Sequence, residues 1–130
     1  AVSPLSTPDV DPFAGGLPPG APAADAPLVR DGAPTWLLRE LGADFTLLVF
    51  GPAPDWTRGL ALATVAIDGD GLADAEGWAA RRYGAQPGTA YLLRPDRHVA
   101  ARWREPSEAA VRAAWARARA LEPHPARQIA

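Results

Sequence analysis

The stretch YGAQPGTAYLLRPDRHVAARW, residues 83–103, reads as a complete β-hairpin. Residues 90–93 and 98–103 are strand-like runs. Between them Pro95 and Asp96 suit the central positions of a type I turn, leaving Arg97 at the left-handed position that closes such a loop. Glycine is the usual occupant there. An arginine held in that conformation costs on the order of 1 kcal/mol, so either the turn departs from type or the guanidinium finds a partner that offsets the strain.

Outward from the hairpin, the chain alternates between strand and helix signals. Asp74 can cap a helix running to Tyr83, with Ala75, Trp78, Ala79 and Arg82 near one face and Gly84 ending it. After the hairpin, Ser107 caps a last helix in which Val111, Ala114, Trp115, Ala118 and Leu121 recur at the spacing of a buried stripe, with Arg112 and Arg119 off it. Upstream, residues 45–50 (FTLLVF) form an apolar, β-branched run between Asp44 and Gly51, as expected of a central strand covered on both faces. Residues 56–60 suit one helical turn and residues 62–67 a second apolar strand. Before these, residues 28–30 suit a short strand and Asp31-Gly32 a turn; Thr35 is placed to cap a short helix over 36–41 that Gly42 ends in a left-handed conformation. The order predicts an α/β domain, a mixed sheet sandwiched by helices. Its span is 28–122. Residues 1–27, with prolines at 4, 8, 12, 18, 19, 22 and 27, read either as an extended arm packed through Phe13 and Leu17 or as a disordered linker, and residues 123–130 as a frayed tail.

The hairpin, together with Pro19-Gly20-Ala21-Pro22 and the run from Phe45 to Gly51, resembles the C-terminal domain of FAD-dependent aromatic-ring monooxygenases, the phenol-hydroxylase-like flavoproteins. Arginine-proline-aspartate alone is a common turn; joined to Tyr83-Gly84 before it and Val99-Ala100-Ala101-Arg102 after it, it carries the resemblance. The family's hairpin commonly has glycine where this chain has Arg97. The resemblance implies a thioredoxin-like fold, and a much larger FAD- and substrate-binding region that precedes it and is absent here. It also implies FAD and NAD(P)H as cofactors of the parent protein, none of them held by this chain. In a thioredoxin the reactive pair follows the central strand; here that place holds Gly51, Pro52, Ala53, Pro54, Asp55 and Trp56, with no nucleophile. Pro87 is either the counterpart of the cis-proline that faces such a site or an ordinary trans loop proline.

Composition narrows the chemistry. The 130 residues suit one domain, and the 48% apolar content supports a core, while 15 prolines and 12 glycines imply much irregular backbone. A formal charge of -2 gives no electrostatic reason to expect nucleic acid or a membrane surface, although every basic residue is arginine and none is lysine. No apolar run approaches the roughly 20 residues that span a bilayer, and the first residues lack a signal peptide's basic and apolar regions, so a cytoplasmic protein is expected. The absence of cysteine excludes thiol-disulfide exchange and thiol peroxide reduction. The two histidines, His98 and His124, lie far apart in sequence, which argues against structural zinc. Asp68-Gly69-Asp70-Gly71 alternates like a calcium loop but is too short and lacks the distal glutamate. No strand precedes a dinucleotide or phosphate-binding glycine pattern, and nothing in the sequence brings serine, histidine and aspartate together for hydrolysis.

The charged group Arg94, Asp96, Arg97, His98 and Arg102, with Arg104, is either a solvated edge or a docking edge for the flavin region or a second subunit, where arginine suits bidentate contacts. Of the five tryptophans, Trp36, Trp78, Trp103 and Trp115 fit core positions, and Trp56, in a proline-rich loop, is the exposed anchor expected at an interface. The chain is thus expected to be inert alone, a structural or docking part of an oxidoreductase that hydroxylates phenolic aromatics. The lack of any methionine agrees with a piece of a longer protein. The alternative is a free-standing, thiol-less thioredoxin-like adaptor.

Overall fold

In the computed structural model, which describes residues 6–9, 13 and 15–121, the apolar run at the centre of the chain forms a strand, Thr46–Phe50, with every residue buried. Among the described residues eleven elements surround and include it. In chain order they are β1 Pro27–Arg30, β2 Ala33–Trp36, α1 Leu37–Glu40, β3 Thr46–Phe50, a 3-10 helix Asp55–Gly59, β4 Ala63–Ile67, β5 Leu72–Ala73, α2 Trp78–Arg82, β6 Ala90–Leu93, β7 Val99–Trp103 and α3 Glu108–Leu121. The main sheet has the order β4-β3-β6-β7; β3 and β4 are parallel, and β6 and β7 add to the other side of β3 as antiparallel strands.

Because successive strand residues point to opposite faces, β3 feeds two cores. Leu48 and Phe50 join Ile67, Tyr91, Leu93 and Val99 on one side, under Leu28, Leu37, Leu72 and Tyr83. Leu47 and Val49 join Leu92 and Trp103 on the other, where Val111, Ala114 and Ala118 of α3 close the layer. The stripe on the last helix is thus the buried one; Trp115 packs half-buried against it, and the side chain of Leu121 lies outside the described residues. Ser107 caps α3 as expected, its hydroxyl accepting from Ala110 N at 3.1 Å.

The N-terminal half departs from the expected pattern. Asp31 and Gly32 both have positive φ, 49° and 86°, as a type I′ turn requires, and they connect two antiparallel strands rather than a strand and a helix. Thr35 therefore lies in β2 and caps nothing; its hydroxyl donates to Glu40 Oε2 at 3.0 Å. The helix that follows is one turn, ended by Leu41 in an extended conformation rather than by a left-handed Gly42. With β5, these strands form a second sheet, β2-β1-β5, on the Tyr83 side of the main sheet. Asp74 does not stand at the N-cap of α2, which is Gly77 at φ 75°; from the turn before the helix its carboxylate still accepts from Ala79 N at 3.1 Å and Ala80 N at 2.9 Å. Gly84 ends it at φ 55°.

Three tryptophans also sit elsewhere than expected. Trp36 and Trp78, read as core, are 47% and 40% exposed, while Trp56, read as an exposed anchor, packs half-buried beside the α3 layer. Trp36 ends an edge strand and Trp78 begins a five-residue helix, so neither has a neighbouring layer to bury it. Residues 122–130, including His124 and the expected frayed tail, lie outside the described residues.

Candidate functional site

The hairpin is built as its sequence reads. Arg97 N donates to Arg94 O and Arg94 N to His98 O, each at 2.9 Å, and Arg97 occupies the left-handed position with φ 65°. A bulge follows: Leu93 pairs with Val99 but Leu92 with Ala101, so Ala100 is the extra residue. The guanidinium of Arg97 has the offsetting partner that the strain requires, donating from Nη1 to Leu38 O of α1 at 2.6 Å. Around the turn, Arg94 pairs with the Asp96 carboxylate, whose Oδ1 accepts from His98 N at 3.2 Å, and His98 Nδ1 stands 3.1 Å from Asp96 O. Asp96 and His98 remain 50% and 41% exposed at the side chain, so the tip is open.

Arg102 and Arg104 share one face, as alternation predicts, but that face is covered by the chain itself. Arg102 is 6% exposed and grips the Asp9 carboxylate through Nε at 3.1 Å and Nη2 at 3.0 Å, while Nη1 donates to Gly15 O at 2.8 Å. Both guanidiniums lie against the Phe13 ring, 4.0 Å and 3.7 Å from its centroid. Burial alone lowers the Arg102 pKa, but hydrogen bonding to Asp9 and the neighbouring negative charge raise it on balance. Next to this pair, Tyr91 donates to Tyr83 O at 2.5 Å and accepts from Leu17 N at 3.2 Å, and Tyr83 donates to Ala24 O at 2.6 Å. Burial pushes the Tyr83 hydroxyl above its usual range.

A second ionic cluster, unread in the sequence, joins the small sheet to α1. Arg30 holds Glu40 from Nε at 3.0 Å and Nη2 at 2.7 Å, and Thr35 adds its hydroxyl. The Arg30 hydrogen bond holds the Glu40 carboxyl below its ordinary pKa despite partial burial.

At the end of β3, where a thioredoxin carries its thiols, a pocket of about 200 Å³ opens between Phe50, Gly51, Ala80, Ala85 and Pro87. It is lined by backbone, apolar groups and two polar side chains, Asp68 and Gln86, none of them a nucleophile of the thiol kind. The Pro87 peptide is trans, so the cis reading of that residue is not the structure. The segments after the parallel strands β3 and β4 begin Gly51-Pro52-Ala53-Pro54 and Asp68-Gly69-Asp70-Gly71; neither is a glycine-rich turn opening an α-helix, so neither offers a dinucleotide cradle. Among the described residues no three His, Cys, Asp or Glu side chains gather to hold a metal ion. Ser6 and Ser107 are bonded to the backbone at Val99 and Ala110, and His98 to Asp96.

No protein-family model matches the chain, and no curated protein does. Solved structures do. Peroxidoxin BcpB from Mycobacterium tuberculosis aligns with TM-score 0.60 and 22% identity over 82% of this chain and 99% of its own. The fold is therefore thioredoxin-like. Aklavinone-11 hydroxylase, in a ternary complex with FAD and aklavinone, aligns with TM-score 0.71 and 24% identity over 89% of this chain. The flavin-dependent monooxygenase PieE, in complex with FAD and substrate, aligns with TM-score 0.64 and 28% identity over 78%. The chain resembles the C-terminal thioredoxin-like domain of FAD-dependent aromatic-ring monooxygenases. This thioredoxin-like domain spans only 25% and 21% of those two hydroxylase chains.

Proposed function

We propose that the chain is a non-catalytic domain of an FAD-dependent monooxygenase that hydroxylates phenolic or related aromatic substrates with NAD(P)H and oxygen. The observation that carries this reading is the coverage: 89% and 78% of this chain align with 25% and 21% of two flavin-dependent hydroxylases, at 24% and 28% identity. The rest of such a protein would hold FAD and substrate, in keeping with the lack of a dinucleotide cradle after β3 and β4. The domain's part is structural: it docks on the flavin region, or on a second subunit, and helps to shield the active site. The open hairpin tip, with Arg94, Asp96, Arg97 and His98, is one contact surface for that role. The other expected contacts are less free, since Trp56 is half-buried and Arg102 is engaged by Asp9. No described helix is long and apolar enough to cross a membrane, and the parent enzyme is proposed to work in the cytoplasm.

The test is the gene and its full product. A reading frame that continues upstream into a nucleotide-binding sequence, and a product that carries FAD and oxidises NAD(P)H in the presence of a phenol, is the expected result. A start codon directly before Ala1 would sink the proposal. That outcome would favour a free-standing, thiol-less adaptor, a reading supported by the alignment with nearly the whole of a peroxidoxin chain.

A further inference from the structure

We infer that the face carrying Trp36 and Trp78 is the surface through which this domain docks on an acidic, apolar-anchored patch of the flavin-binding region of its own polypeptide. Trp36 and Trp78 are the large hydrophobic side chains most exposed among the described residues. They belong to one continuous surface. Trp36 lines a shallow depression with Asp25 and Arg39; Asp25 O accepts from Arg82 Nη1 at 2.6 Å; and the Arg82 guanidinium lies 5.3 Å from the Trp78 ring centroid. Arg81 lies closer to the same ring, at 4.4 Å. From the hairpin tip, Arg97 reaches the adjoining Leu38 carbonyl, so the tip and the tryptophan face meet at α1.

The charge on this face selects the occupant. Arg81 and Arg82 are bonded to backbone carbonyls, of Glu76, Gly77 and Asp25, which hold the guanidiniums without cancelling their charge. Arg39 is exposed at the rim of the depression. The Asp25 carboxylate is turned inward, accepting from Ala26 N at 2.9 Å and Leu38 N at 3.0 Å. The exposed Glu76 borders Trp36 and offsets one of the three guanidiniums; exposed tryptophan flanked by arginine is the composition of interface anchors, and the positive charge that remains calls for carboxylates opposite. The flavin region has the length to supply them, since three quarters of each aligned hydroxylase lies beyond the part this chain matches. The inference rests on the proposed function and names its surface.

Residue-level oxidative footprinting of the full-length protein tests it. Buried Trp103 provides the internal standard for protection, and half-buried Trp115 for partial access. In the wild type, Trp36 and Trp78 should be modified as slowly as Trp103; in the Arg39→Glu, Arg81→Glu double variant they should react on the order of tenfold faster, with Trp103 unchanged. If the double variant fails to fold, Arg39→Glu alone gives the same comparison. Modification of both tryptophans faster than Trp115 in the wild type overturns the proposal. So does protection that appears only as protein concentration rises, because a second copy would then be the occupant. FAD content and NAD(P)H oxidation in the same preparation report on the monooxygenase reading separately: a working flavoenzyme with open tryptophans refutes the docking surface alone.

Discussion

Arg97 combines a backbone cost with a side-chain gain, and the two can be separated. Arg97→Ala keeps the left-handed backbone at φ 65° and loses the bond to Leu38 O, whereas Arg97→Gly loses the bond but relieves the strain. Both variants are expected below wild type in urea denaturation, alanine by about 2 kcal/mol and glycine by about 1 kcal/mol. Equal losses would show that the turn is unstrained. Glu40 makes a pH-dependent contribution. Its folded pKa lies below the ordinary 4.5, so the stability it adds is complete above that value and is lost as pH falls through the lowered one. Glu40→Gln should therefore be less stable than wild type at neutral pH and lose less stability on acidification below about pH 4.5. Denaturant melts at a series of pH values would show the two curves converging on the acid side.

Among the elements, the N-terminal segment and β7 are the least obvious partners. Gly20 N donates to Val99 O and Val99 N to Ala21 O, each at 2.8 Å, Pro22 bridges His98, and Thr7 N donates to Ala100 O at 2.7 Å. Removing Asp9 would leave a guanidinium that is 6% exposed without its carboxylate. Asp9→Ala is accordingly expected to cost about 2 to 3 kcal/mol, whereas Asp55→Ala, which removes only an exposed pair with Arg58, should leave the melting temperature unchanged. A melting temperature equally insensitive to both changes would mean that the Arg102 pair contributes nothing.

These elements also show what could be read in advance. The hairpin, β3, β4 and α3 were legible because each follows from local rules: an alternating or continuous apolar run, a turn dipeptide, a 3.6-residue stripe. The Arg102–Asp9 pair was not, because it joins residues far apart in the chain and no spacing records such a contact. The second sheet could have been found. An aspartate-glycine dipeptide between two short extended runs is a hairpin signal, and it competes with the helix-cap signal of Thr35 over the same residues. The exposure of Trp36 and Trp78 is not legible for a related reason: periodicity gives the face of an element, but not whether another layer lies against that face. Of the candidate interface, sequence supplied the hairpin tip and missed Trp36 and Trp78.

At the scale of the molecule, the two cores share β3, so they should stand or fall together. Leu47 and Leu48 are adjacent, fully buried and on opposite faces. Leu47→Ala and Leu48→Ala are each expected to cost about 3 kcal/mol and to shift a single transition, with circular dichroism and tryptophan fluorescence coincident. Separate transitions would mean that the layers unfold independently. The main sheet is also unlike at its two margins. At β7 the N-terminal segment occupies the outer hydrogen-bonding groups, whereas β4, whose sequence ATVAI carries no charge, has no strand named beyond it among the described residues. Runaway stacking of sheets into fibrils needs two free margins per copy, one to receive and one to offer. With the proline-rich segment lying on β7, a copy that added to β4 would find no second free margin on the main sheet, so edge-to-edge growth through that sheet ends at a pair.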